Sequence, residues 1–188
     1  MIRSGSFTAL LDANVLYPAP LRDYLLHLAS LDLYKPKWSS RIQDEWIKNL
    51  LSNRPDLSNS ALQGTKAAMD SAFPDANVEE YENLIPEIKL KDKDDRHVVA
   101  AAIKGRSNVI VTSNLKHFPK KQLGSHDIDV QSPDEFVSNL ISLNKKECIK
   151  ALENQVKSLK NPPKTKNEVL DTLSKCGLAK SVELLKTT

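Results

Sequence analysis

Two short runs restrict this chain more than any other feature. Phe7-Thr8-Ala9-Leu10-Leu11 and Val109-Ile110-Val111 are apolar at nearly every position, and each stops on polar residues, Asp12 in one case and Thr112-Ser113-Asn114 in the other. Consecutive apolar side chains leave no face for water. Such segments suit strands covered on both sides, as in parallel sheets flanked by helices. The intervening sequence supplies the helices. After Pro18 and Pro20, Leu21, Leu25, Leu28 and Leu31 recur at three- and four-residue spacing, and Ile42, Trp46 and Leu50 follow Ser39-Ser40 in the same manner. A third helix is expected from near Ser58 to Phe73, and a short strand over Ile85 to Leu90. Asp92-Lys93-Asp94-Asp95 provides caps for a helix carrying Val98, Val99, Ala102 and Ile103, which Gly105 ends. Asp127 to Val130 reads as an edge strand. Ser132-Pro133-Asp134-Glu135 then opens a helix to about Leu143.

Beyond Asn144 the pattern is purely helical. A Lys-rich helix starts near Lys145, Pro162-Pro163 breaks it, and the capping box Thr165-x-x-Glu168 starts another that Gly177 closes. The expected fold class is therefore α/β: a central parallel sheet flanked by helices over residues 1–144, with a helical C-terminal extension over 145–188. At 188 residues, this is about one domain plus an appendage. Charge divides at the same place. The overall balance is 27 Lys and Arg against 24 Asp and Glu, but the extension holds 10 Lys, 5 acids and no Arg. A basic tail beside an acidic body can attract phosphate, or it can be the wet side of amphipathic helices. Its apolar positions Val169, Leu173, Leu178, Val182 and Leu185 form a stripe expected to face a protein partner.

No apolar run approaches the ~18 residues of a membrane span. The stretch after Arg3 is too short and too soon charged for an export signal. With Cys148 and Cys176 too few and too distant for a disulfide framework, reduced thiols and a cytoplasmic location are expected.

Chemistry is expected just outside the carboxyl ends of the strands, which directs attention to Asp12 and Asn114. A carboxylate following a buried strand must be paired, hydrogen-bonded or metal-bound, although capping of the next turn with help from Asn14 is an equal alternative. Three acids at 92, 94 and 95 exceed what one helix start needs. Glu45 lies beside the apolar face of its helix, and either points inward or pairs with Arg41 or Lys48. Carboxylates converging from separate regions repel one another unless a cation neutralises them, and Mg²⁺ or Mn²⁺ is the natural partner of such oxygen donors. HExxH, GxSxG and Walker A motifs are absent. His27, His97, His117 and His126 show no metal spacing and read as polar surface or helix-edge residues. Tyr34 and Trp38 near Lys35 and Lys37 are either core residues or a base-stacking platform.

Leu10-Leu11-Asp12-Ala13-Asn14-Val15-Leu16 resembles the opening motif of PIN-domain nucleases. Asp95-Arg96-His97 leading into Val98-Val99-Ala100-Ala101-Ala102 resembles their helix-start motif, and Val109 through Phe118 resembles the final strand motif. The likeness runs from about Thr8 to Asn139 and is nearest to the VapC-type ribonuclease toxins of prokaryotic toxin–antitoxin pairs, in the branch whose helix motif is Asp-Asp-Arg-His. It implies metal-dependent cleavage of RNA by water, leaving 5′-phosphate and 3′-hydroxyl ends. Asp12 and Asp95 would ligate Mg²⁺ or Mn²⁺, Glu45 would complete the site or orient water, and Asn114 with Ser113 would position water or phosphate. Asp44 leaves the register at Glu45 open by one residue. Asn114 also stands where many relatives have a fourth Asp, which weakens a second metal position. The resemblance further implies a homodimer and a small VapB-type antitoxin. The rival readings are a PIN-like module that binds RNA or protein with little turnover, and a DNA repressor, for which no basic recognition helix is visible.

Overall fold

The computed structural model describes residues 7–123 and 126–187. The stretch before Phe7, which bears on the export-signal expectation, lies outside them. Four parallel strands, β1 (Thr8–Leu11), β2 (Lys35–Lys37), β3 (Val109–Val111) and β4 (Asp129–Gln131), form one sheet in the order β2-β1-β3-β4. All residues of β1 and β3, the two central strands, are buried. That burial is what their unbroken apolar sequences require. From β1 the chain crosses to β2 on one side, whereas β3 leads to β4 on the other. The point of reversal therefore falls between β1 and β3. In open α/β sheets such a switch point leaves a crevice beyond the strand ends.

Helices α1 (Ala13–Leu16), α2 (Ala19–Ser30), α3 (Ser40–Asn53), α4 (Asn59–Ala72), α5 (Arg96–Lys104) and α6 (Lys120–Leu123) flank this sheet. Ser39 and Ser58 cap α3 and α4 with their hydroxyls. One expected strand is absent: residues 82–87 form a 3-10 turn, Glu82–Glu87, with Pro86 inside it. Proline has no N–H to give a ladder, so the segment buries Ile88 and Leu90 from irregular backbone instead. The expected edge strand is β4, which starts two residues later and ends one residue later than its sequence suggests.

Helix α7 (Pro133–Ser158) is interrupted at Asn144, whose φ of −154° and ψ of 74° are not helical. The Asn144 side chain accepts the Glu147 N–H at 3.3 Å and so caps the second half of the helix. The chain then turns back through α8 (Lys166–Lys175) and α9 (Ala179–Lys186), with Gly177 at φ 98° between them. The Asp134 carboxylate receives the N–H groups of Lys180 at 3.0 Å and Ser181 at 2.8 Å, tying the start of α9 to the start of α7. Tyr24 and Gln155 also join α2 to the second half of α7, through hydrogen bonds to Cys148 O and Pro20 O.

The apolar stripe expected to await a partner is already covered within the chain. Val169, Leu173, Leu178, Val182 and Leu185 are all buried. Helical periodicity shows that a face is apolar but not what covers it, and here α8 and α9 fold back on α7 and α2. Buried Cys148 has its thiol pushed up to about 12, which makes it an unreactive packing residue. Among the described residues no helix is long and apolar enough to cross a membrane.

Candidate functional site

The Asp12 N–H donates to Val111 O at 3.1 Å, which extends the β1–β3 ladder by one residue and sets Asp12 beside Thr112. The carboxylate is 5% exposed. Its Oδ1 accepts the Ala13 N–H at 2.7 Å, and its Oδ2 accepts the Thr112 hydroxyl at 2.8 Å and the Asn14 amide at 2.7 Å. Asn14 is fixed in turn, because its Oδ1 receives the Ser113 N–H at 2.8 Å. Asp12 therefore does cap the following turn, but both its oxygens lie at the switch point. Burial pushes its carboxyl above the ordinary range. Bonds from Thr112 and Ala13 oppose that, and the charges of Asp95 and Glu45 push it further up.

Asp95 sits at the N-cap of α5 but makes no capping bond. Its Oδ2 instead meets His117 Nδ1 at 2.7 Å, and Asp92 lies 3.6 Å from the same nitrogen. Asp92 also performs the local turn-forming task by accepting the Asp94 N–H at 3.0 Å. Ligand atoms of Asp92, Asp95 and His117 all lie within 4.8 Å of one another.

On α3, Glu45 turns inward and Asp44 outward. Asp44 pairs with Lys66 at 2.7 Å, whereas Glu45 Oε1 meets His97 Nε2 at 2.9 Å and Arg41 Nε at 3.3 Å. Burial acts to raise the Glu45 carboxyl, but the bond and charge of His97, then those of Arg41, outweigh it and hold it below the usual range. The helix itself is anchored from behind. Arg22 places its guanidinium 4.6 Å from the Trp46 ring centre and donates to Leu16 O at 2.8 Å, clamping α1 to α3.

Carboxylates from the ends of β1 and α5 and from α3 are thus near enough that Asp95 and Glu45 both act on Asp12, although the ligand atoms drawn closest together are those of Asp92, Asp95 and His117. Among the described residues no Lys or Arg pairs with Asp12 or Asp95. A set of hard oxygen donors that repel one another, with Arg41 offsetting only Glu45, suits a divalent metal ion.

Ser113 and Asn114 are exposed, and it is their backbone N–H groups that serve the site, to Asn14 Oδ1 and Thr112 Oγ1. The side chains that hold Asp12 are Asn14 and Thr112. Of the histidines read from sequence as surface or edge residues, His97 is corrected by the fold, whereas His117 is exposed as expected but has a partner there. His97 is 2% exposed and bonded to Glu45, and His117 is bonded to Asp95. Their signal was present, since both lie inside the quoted motifs, but motif position does not reveal a partner on another element. Tyr34 and Trp38 are buried, at 1% and 0% exposure, and cannot stack on bases.

The raised Asp12 pKa gives a stability test on protein freed of metal. An acid whose folded-state pKa lies above its unfolded value stabilises the fold fully below the unfolded pKa. That contribution is lost as pH rises through the folded one. Metal-free Asp12→Asn protein should therefore unfold at the same or a higher temperature than wild type at neutral pH, and the difference should shrink as pH falls toward 4. Thermal unfolding in excess chelator across that range measures it. A neutral-pH melting point well below wild type would show that hydrogen bonding, not burial, dominates at Asp12.

Residues 8–116, more than half of the chain, match a family profile described as PIN domain, and residues 133–187 match one described as VapC50 C-terminal domain. Over 93 residues the chain is 38% identical to a protein of Mycobacterium tuberculosis (strain ATCC 25618 / H37Rv) named "Putative ribonuclease VapC50". The aligned stretch is 50% of this chain and 54% of that relative, so the chain spans about half the length of the curated relative it matches. No solved structure is significantly similar to the chain.

Proposed function

The chain belongs to the PIN-domain family, and from that premise we propose that it is a divalent-metal-dependent endoribonuclease, the toxin of a VapC-type toxin–antitoxin pair. The observation that carries this reading is that Asp12, buried at the switch point, feels the charges of both Asp95 and Glu45, while among the described residues neither Asp12 nor Asp95 is paired with a Lys or Arg. A binding module would have no use for three mutually repelling acids, because the same fold could be stabilised by removing one of them.

Asp12, Asp95 and Glu45 are the residues that would hold Mg²⁺ or Mn²⁺. When bound, such an ion lowers the pKa of water and neutralises charge developing on a phosphate. The chain's own residues do the rest. Asn14 and Thr112 fix the orientation of Asp12 so that both oxygens stay put while RNA enters. His117 holds one oxygen of Asp95, leaving the other toward the crevice, and Glu45 is kept ionised and able to accept a proton from water. Ser113 and Asn114 are exposed, and in this reading they meet phosphate or water.

In this reading residues 1–144 carry the chemistry and 145–188 support it. The partners are RNA, a VapB-type antitoxin that blocks the crevice, and a second copy of the chain, all within the cytoplasm. The apolar stripe of the extension being covered, the exposed Lys157, Lys160, Lys164 and Lys166, on and around the connection from α7 to α8, fit phosphate better than an apolar partner.

Metal removal tests the reading directly. Cleavage of a labelled RNA mixture should stop in excess chelator and return on adding Mg²⁺ or Mn²⁺, with products carrying 5′-phosphate. Undiminished cleavage in chelator would exclude the mechanism.

A further inference from the structure

Resting on the metal-dependent reading above, we infer that His97 is a positioning residue, which selects the oxygen that Glu45 presents to the crevice. His97 is the second residue of α5, two positions after Asp95. The short segment Asp95-Arg96-His97 thereby does two things at once. It delivers one carboxylate to the site and sends an imidazole inward to a second carboxylate on another helix.

The geometry at Glu45 is asymmetric. His97 Nε2 at 2.9 Å and Arg41 Nε at 3.3 Å both fall on Oε1, and among the described residues Oε2 has no partner. One oxygen is held and the other is left for a ligand. Asp95 is treated in the same manner, with His117 on Oδ2. The two donors to Glu45 are unequal. Arg41 is about half exposed and can exchange its bond for water, whereas His97 is 2% exposed and has no such option. The buried imidazole therefore fixes the rotamer.

A second observation separates this role from packing. His97 Nδ1 is buried without a hydrogen-bond partner. Leaving a buried polar atom unpaired is costly, and an apolar side chain of similar size would fill the space without that cost. The imidazole is thus retained against its packing interest for the one bond it makes, to Glu45. Groups that orient a metal ligand in this way typically change metal affinity by about 10- to 100-fold when removed.

The test uses the full chain and manganese alone, titrated by its electron paramagnetic resonance, with no RNA present. His97→Leu keeps the packing and removes the donor. His97→Gln carries an amide nitrogen near the Nε2 position, and His97→Asn carries one near the Nδ1 position. His97→Leu should weaken manganese binding by roughly 10- to 100-fold while the metal-free protein unfolds at or above the wild-type temperature. His97→Gln should restore most of the affinity and His97→Asn should not. In a Glu45→Gln background His97→Leu should add no further loss. If His97→Leu does not fold, the Gln and Asn variants decide between themselves. Wild-type affinity in His97→Leu, or equal losses in Gln and Asn, overturns the inference while leaving the nuclease reading intact. A wild-type chain that binds no manganese through Asp12 overturns both.

Discussion

Asp12→Asn or Asp95→Asn is expected to reduce RNA cleavage by more than the roughly hundredfold that losing an outer partner of a metal site costs. The reason lies in placement. Asp12 is buried at the end of a central strand with both oxygens directed by Ala13, Asn14 and Thr112, so no neighbouring carboxylate can move into its place. Asp95 leaves its helix uncapped in order to face His117 and the crevice. Asp94, by contrast, is exposed, and Asp94→Asn should alter the rate by no more than about twofold, as for surface substitutions generally. Cleavage rates at saturating Mg²⁺, with circular dichroism to confirm folding, make the comparison. Near wild-type cleavage by Asp12→Asn would refute the assignment of the site, and equal losses at Asp94 and Asp95 would refute the choice between them.

Truncation after Asn144 is expected to cost the chain its cooperative fold. The removed segment carries Leu152, Val169, Leu170, Leu173, Leu178, Val182 and Leu185, all buried, and it withdraws bonds to Tyr24 and Pro20 on the α2 side. Full burial of one such side chain contributes ~1.5–3 kcal/mol, and whole domains are stable by only about 5–15 kcal/mol. A handful of these residues therefore equals the entire margin. The truncated chain should be insoluble, or should bind a hydrophobic dye and melt without a sharp transition. A monomeric residue 1–144 fragment that melts within a few degrees of the full chain would show that the extension is an independent appendage. Because truncation is expected to unfold the body, the contribution of the extension to RNA binding is better measured by replacing Lys157, Lys160, Lys164 and Lys166, which are exposed.

The elements were largely legible because the forces that select them are local. Thr165 and Glu168 do form their capping box, and Ser132 does cap its helix. Asn144 is not helical, and Val109–Val111 is a buried strand. The exception at Ile85 to Leu90 has a local cause as well, in Pro86. Placement of Asp12 and Asp95 could be read for the same reason, since a residue at a strand end or a helix start is positioned by its own segment.

Relations between segments could not be read in this way. Whether Asp44 or Glu45 turned inward depended on Lys66 from α4 and His97 from α5, two elements whose packing against α3 no local pattern specifies. His117 gained its meaning from a carboxylate 22 residues away, and His97 from a different helix. The apolar stripe of the extension was certain from its spacing, yet its cover was chosen only when α8 and α9 turned back on α2 and α7. The sequence by itself determined which segments would be strands and helices and which acids would stand at their ends, because backbone hydrogen bonding and helical or strand periodicity act over a few residues. Only the tertiary structure decided which oxygen of each acid is held and which face of each helix is covered. Those choices follow from side-chain contacts between distant segments, and these exist only after the sheet has closed around its switch point.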